Sequence, residues 1–281
     1  MPGEMDNIIK KLGISSPTKT TLGESASPET SSASDDPISS APQRKEVTPS
    51  PKENVTSSSE FHDEPSSNSE SPPPLNGVHE IKDDKGQVIQ RMSYKNGKLD
   101  GPLEVFSNGK LNQRMTYKEG VLDGEIYGYD DTGHLTHRMD YENGELSGLC
   151  EIYTNGNLFV QVSYLKNEKN GLERAFTPNG APLSERMFVK GKLDGETKYF
   201  GENSVLQRKA DYKDDLLWGD VEVYYASGKL LEKSTYINNK LDGPFTQYYE
   251  NGQIMHQAVY KEGKLIGKDH HYDSKGREIK S

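Results

Sequence analysis

Asp269-His270-His271 is the densest run of metal-ligating side chains in this chain of 281 residues. Imidazole nitrogens and a carboxylate together suit zinc and similar divalent ions. Adjacent residues on a strand point to opposite faces, however, so these two imidazoles would not converge on one ion. His134 and His137 are three apart and fail for the same reason. No metal centre and no cofactor are expected. Cys150 is the single cysteine; it alternates in phase with Ile152 and has no histidine beside it, so a buried, inert thiol is expected. One cysteine also excludes a disulfide framework and suits a reducing compartment. No G-x-S-x-G, Walker or H-E-x-x-H pattern occurs, and the carboxylates are dispersed. An enzyme acting on glycans or peptides along an aromatic face would need clustered carboxylates, which the sequence does not supply, so no enzymatic activity is expected.

The elements that would position any site come from a repeat. Tyr94, Tyr117, Tyr141, Tyr164, Phe188, Tyr212, Tyr236 and Tyr260 recur every 23 or 24 positions. A second aromatic series follows at Phe106, Tyr129, Tyr153, Phe176, Phe200, Tyr224, Tyr248 and Tyr272. A fixed period of this length marks a repeat architecture whose units bury their apolar faces against one another. The skeleton is Y-x-x-G-x-L-x-G, an aromatic five residues on, a glycine turn, then G-x-L leading to the next Tyr.

Inside each unit the apolar period is two. Leu158, Val160, Val162 and Tyr164 alternate with Phe159, Gln161 and Ser163, which reads as a half-buried strand. Asn-Gly pairs at 108–109, 155–156 and 251–252 separate such strands and suit tight hairpin turns. The prediction is an all-β protein: an elongated, single antiparallel meander of about eight tandem hairpins over 77–281, with a partial unit at the start and roughly 16–18 strands in all. Leu103/Val105 and Val221/Val223 should face one way, and Glu104/Phe106 and Glu222/Tyr224 the other, giving an aliphatic face and an aromatic, charged one.

Residues 1–76 hold 11 of the 15 prolines, many serines and a single aromatic, Phe61. Such a segment cannot bury enough apolar surface to offset the entropy of ordering, so a disordered tail is expected. Within it Met5, Ile8, Ile9 and Leu12 fall at helical spacing before Gly13, spelling a short amphipathic helix over 4–12 that could meet a partner groove or a membrane surface. The net charge of −10 argues against nucleic acid and lends no support to anionic membranes. No apolar run reaches the roughly 20 residues of a membrane span, and a cytoplasmic protein is expected.

Gly120-Val-Leu-Asp-Gly124 with Tyr129 and Gly133-His-Leu135, and Asn239-Lys-Leu-Asp-Gly243 with Tyr248 and Gly252-Gln-Ile254, resemble MORN repeats in the variant form of the bacterial YwqK-family antitoxins. The resemblance covers about 77–281. It implies a scaffold contacting proteins or membranes, with antitoxin-like neutralisation of a protein partner as its most specific version. Four positions depart from the pattern: Asn167 and Asp215 replace the first glycine, Lys169 the leucine and Ser204 the turn glycine.

An aromatic required in every copy belongs to the fold, so partner specificity is expected at positions that vary. The candidate contacts are Trp218, His137, Arg174 and Lys198 in the repeats, and Ile8, Ile9 and Leu12 in the tail. The expected partner is a protein; the alternative is a peripheral membrane organiser anchored by 4–12.

Overall fold

A computed structural model describes residues 74–279. The tail reading below residue 74 and the candidates Ile8, Ile9 and Leu12 lie outside the described residues. The described chain forms one antiparallel sheet of nineteen strands. They are β1 (Gly77–Lys82), β2 (Val88–Lys95), β3 (Lys98–Ser107), β4 (Lys110–Lys118), β5 (Val121–Tyr129), β6 (Leu135–Glu142), β7 (Glu145–Thr154), β8 (Asn157–Leu165), β9 (Glu168–Phe176) and β10 (Pro182–Val189). There follow β11 (Lys192–Phe200), β12 (Leu206–Lys213), β13 (Leu216–Tyr224), β14 (Leu230–Ile237), β15 (Lys240–Tyr248), β16 (Ile254–Lys261), β17 (Lys264–Leu265), β18 (His270–Tyr272) and β19 (Glu278–Ile279). Each strand up to β16 pairs with its sequence neighbours, the expected meander. The strand count exceeds the expected range because the final unit breaks: β17 and β18 both pair with β16, at Tyr260 and His256 respectively.

The glycine skeleton follows from backbone geometry. The second glycine of each unit lies at positive φ, where L side chains are strained. At Gly148 (φ 121°) a Cβ would also sit 2.7 Å from the Asp140 Cβ. Neighbouring hairpins are then tied turn to turn. The N–H of the fourth residue of each unit donates to a carbonyl of the unit before, as in Gly120 to Leu99, Gly144 to Leu122 and Asn239 to Leu217. The Asp or Asn of the L-D-G motif adds a second tie: Asp123 Oδ2 accepts from Asn143 N at 3.0 Å, and Asp242 Oδ2 from Glu262 N at 3.1 Å. Two of the departures from the skeleton prove to be alternative ties. Asn167 and Asp215, and likewise Asn239, reach back with their side-chain oxygens to Leu146 N, Leu193 N and Leu217 N at 2.9, 2.7 and 2.7 Å. Asn239 follows the unit in which Trp218 has replaced the motif's Asp. At the opposite end the Tyr225 and Tyr249 hydroxyls donate to the carbonyls of Tyr248 and Tyr272, one repeat on.

The core is a row of directly opposed side chains running across the strands on the aliphatic face. Met115, Ile126, Met139, Cys150 and Val162 are successive cross-strand partners. The first aromatic series shares this face, which refines the expected division: Tyr164, Phe188 and Tyr212 are buried, Tyr164 and Tyr212 in the apolar clusters. Only the second series lies with the charges, as the Tyr153 and Tyr224 hydroxyls on Glu151 and Glu222 show.

The apolar row is interrupted once by charge. Glu173, 2% exposed, occupies an aliphatic position between Val162 and Arg186. Lys169 Nζ donates to its Oε2 at 2.7 Å, and Arg186 donates to its Oε1 through Nε at 2.7 Å. Both cations lie over the Phe188 ring, 5.1 and 5.6 Å from its centroid. Three departures from the repeat thus meet at one point, and the next residue in the row, Thr197, buries an Oγ1 with no hydrogen-bond partner among the described residues.

Two predictions follow from this packing. Glu173→Leu leaves two cations without their shared anion and should cost about 3–5 kcal/mol. The triple K169L/E173I/R186M restores the repeat's own apolar types and should be far milder; urea midpoints of the three proteins check the ordering. Asn239→Gly removes a turn tie, and adding Trp218→Asp restores the motif's usual acceptor. The double variant should therefore be more stable than N239G alone, and equal or lower stability would exclude the exchange of ties.

Candidate interaction face

The face opposite the core carries a second row, built from the third residue before each ladder aromatic and its cross-strand partners. It runs Glu80, Arg91, Glu104, Arg114, Tyr127, Arg138, Glu151, Gln161, Arg174, Glu185, Lys198, Lys209, Glu222 and Lys233, each directly opposite the next. Opposite charges alternate along much of it, the arrangement that cross-strand pairing favours. Arg91 bridges Glu80 and Glu104, each at 3.1 Å. Arg138 contacts Glu125 at 2.8 Å, Asp140 at 3.1 Å and Glu151 at 3.4 Å. The Tyr127 hydroxyl and then the Arg138 guanidinium hold the Glu125 carboxyl below the usual carboxylate range. The solvent-facing pairs, such as Arg91 with Glu80, contribute little to stability, and only Glu151 among these carboxylates is buried; the row is better viewed as a surface of defined charge pattern than as a brace.

The alternation fails where Lys198 faces Lys209 directly. Both lysines lean on Glu196, at 2.7 and 3.0 Å, which keeps its carboxyl below the ordinary range. Glu185 serves Arg174 at 3.4 Å and Lys198 at 3.8 Å. Strands β9 to β13 therefore present Arg174, Lys198 and Lys209 in one row, with Glu185 and Glu222 in the same row and Glu196 beside both lysines. Trp218 is on β13, where its neighbour Leu217 packs into the core, so the indole takes the other side of the strand. It is 41% exposed, with Lys213 Nζ 5.2 Å from the ring centroid.

Three of the repeat candidates thus fall on the same side of the sheet, on the alternate strands β9, β11 and β13. The fourth does not. His137 is on the aliphatic face, its ring lying over Gly128 and opposite Ile152; burial pushes its imidazole pKa down. Sequence reading missed Lys209, although its signal was present: Arg91, Arg114, Arg138, Lys209 and Lys233 all stand three residues before a ladder aromatic.

The metal-ligating types meet in a combination that the sequence reading did not consider. His270 and His271 do point apart: His270 pairs with Glu278, while His271 stacks on His256, its cross-strand partner. Asp269 contacts both His256 and His271. Burial works against ionisation of Asp269, but hydrogen bonds from the two imidazoles hold its carboxyl below the usual range. Cys150 is fully buried beside Met139 and Val162, and burial pushes its thiol up to about 12.

A family model described as the MORN repeat variant matches residues 193–214, 219–238 and 241–262. Each matched span takes in one hairpin of the sheet and supports a MORN-repeat protein. A search of curated proteins returns no match.

The position of Cys150 carries its own prediction. The folded protein should resist alkylation by iodoacetamide at pH 8, and urea should render the thiol reactive. Mass spectrometry of the intact chain reads both states, and rapid modification without denaturant would contradict the burial.

Proposed function

We propose that the repeats form a non-enzymatic scaffold that binds a protein partner through the charged face of β9–β13. The observation that supports this most is the gathering of Arg174, Lys198, Lys209 and Trp218 on one side of neighbouring strands. The recurring residues of each unit are consumed by turn ties and core packing, so they are poor carriers of specificity. Arg174, Lys198 and Trp218 stand at positions whose identity changes between copies, and Lys209 is the recurring cation that Lys198 meets directly. An exposed Trp is a residue type common at protein hot spots, and Arg174 with the opposed Lys198 and Lys209 gives the face a defined charge pattern for a partner to match. The MORN-variant match fits a repeat scaffold of this kind.

The finer version of the reading is antitoxin-like: the bound partner is a protein whose activity the scaffold neutralises. It rests on the resemblance to YwqK-family antitoxins. Peripheral attachment to a membrane through residues 4–12 is the competing reading, and flotation of the full chain with anionic liposomes would favour it.

The scaffold reading is tested by affinity capture from the native host with the full chain and with R174E/K198E/W218A. The wild type should retain a partner that the variant loses, with both giving the same circular dichroism spectrum. Equal capture by both proteins would remove this face from the interaction. Co-expression of the captured partner with and without the scaffold then asks whether a toxic activity is suppressed.

A further inference from the structure

The last repeat unit differs from all the others in a way that packing alone does not require. Its first strand is broken after Leu265; Ile266 N still donates to the Val259 carbonyl at 2.8 Å, and strand pairing resumes at His270. Asp269 stands in the break, where the preceding unit has the apolar Phe245 on its aliphatic face. The break leaves the carboxylate beside two imidazoles that the sheet has already aligned.

His256 and His271 are directly opposed across the β16–β18 pair. Their rings are nearly parallel, 9° apart with centroids 4.3 Å apart. The Nε2 atoms of both rings meet one carboxylate: His256 Nε2 contacts Asp269 Oδ1, and His271 Nε2 lies 3.3 Å from Oδ2. One donor atom from each residue can be chosen so that all lie within 4.8 Å of one another. Tetrahedral coordination at the usual bond lengths of about 2.0–2.2 Å needs donors roughly 3.3–3.5 Å apart. The ion must also lie in the plane of each ring it binds, so one imidazole turns out of the parallel stack to bring the three donors to that spacing. The His256 ring is also in contact with Phe245, edge-on at 5.2 Å.

We propose that His256, Asp269 and His271 form a binding site for a divalent transition metal of the zinc class. Two imidazoles and a carboxylate suit such an ion, and a set of three protein ligands leaves at least one coordination position for water or for a side chain of a bound partner. In the metal-free chain, imidazole N–H groups satisfy the carboxylate. On binding, each Nε2 that carries a proton loses it, to solvent or to the Nδ1 of the same ring, and donates its lone pair to the ion. The site closes the break in the final unit: it cross-links β16 to the segment between β17 and β18, where ladder hydrogen bonds are fewest. Because it is on the aliphatic face, it is independent of the interaction face on β9–β13.

The test uses the full chain without a histidine tag, stripped with EDTA and dialysed. Zinc is titrated calorimetrically, and cobalt is titrated while the visible d–d bands of the tetrahedral ion are followed. One equivalent should bind. His256→Ala, His271→Ala and Asp269→Asn should each weaken binding about tenfold or more. His270→Ala should leave affinity and spectrum unchanged, because that ring is on the other face. Thermal unfolding without metal establishes that each variant is folded, and zinc should raise the midpoint of the wild type but not of H271A. Absence of binding to the wild type, unchanged affinity in H256A and H271A, or a loss in H270A equal to that in H271A would each overturn the site.

Discussion

The structure depends on one constraint: every hairpin must satisfy its backbone and bury its apolar row against the hairpins on either side. No second sheet or helix layer occurs among the described residues, so a unit has no other source of burial. Stability in such an array is a sum of unit and nearest-neighbour terms. The turn ties make the neighbour term specific. An Asp, Asn or backbone N–H must reach the same place one repeat on, and a positive-φ glycine must keep the intervening chain in phase. A shift of one residue would exchange the two faces completely, placing Arg138 and Glu151 where Met139 and Cys150 now pack.

Much of this was legible in the sequence because the constraint is periodic. The alternation around Leu158–Tyr164, the Asn-Gly turns and the recurrence of L-D-G are enough to establish hairpins, a meander and two unlike faces. The two aromatic series were harder to separate. A register shift occurs between Met139 and Tyr141 on β6, and another between Ile152 and Tyr153 on β7. Alternation counted within one strand already puts Tyr164 in phase with Val160 and Val162, the side on which all three are buried, but the count does not carry across such shifts to the second series. The meeting of His256 with His271 was illegible for another reason. It depends on cross-strand register in the one unit whose first strand is broken, and adjacency in sequence drew attention to His270.

The two faces divide the work of the molecule. On the core side, burial makes each group's chemistry quiet: the Cys150 thiol is pushed up to about 12 and the His137 imidazole is pushed down. On the charged side, partners are shared and solvent is near. Lys209 and Lys233 are drawn upward mainly by hydrogen bonds, to Glu196 in one case and to Glu222 and then Asp220 in the other. A surface of this kind adds little to folding but can select a partner through its charge pattern and its few exposed rings.

Departures from the repeat are informative because they do not occur singly in space. A charge entering the core row must be answered by the residues opposite and beside it, and Glu173 is answered by Arg186 across the strand and Lys169 on its own. A motif Asp lost to Trp218 is accompanied by an Asn239 side chain reaching back from the following turn. An aspartate at the apolar position of the last unit is met by two histidines aligned across strands. The first set lies in the middle of the core row, where its ordering cost is offset by well-packed neighbours. The last lies in the unit whose first strand is broken, where the interrupted ladder offers less to offset the cost of holding a carboxylate against two imidazoles. A ligand that all three side chains share would supply there what packing supplies elsewhere, and that contrast between an intact row and a broken strand distinguishes the histidine cluster from an ordinary compensated departure.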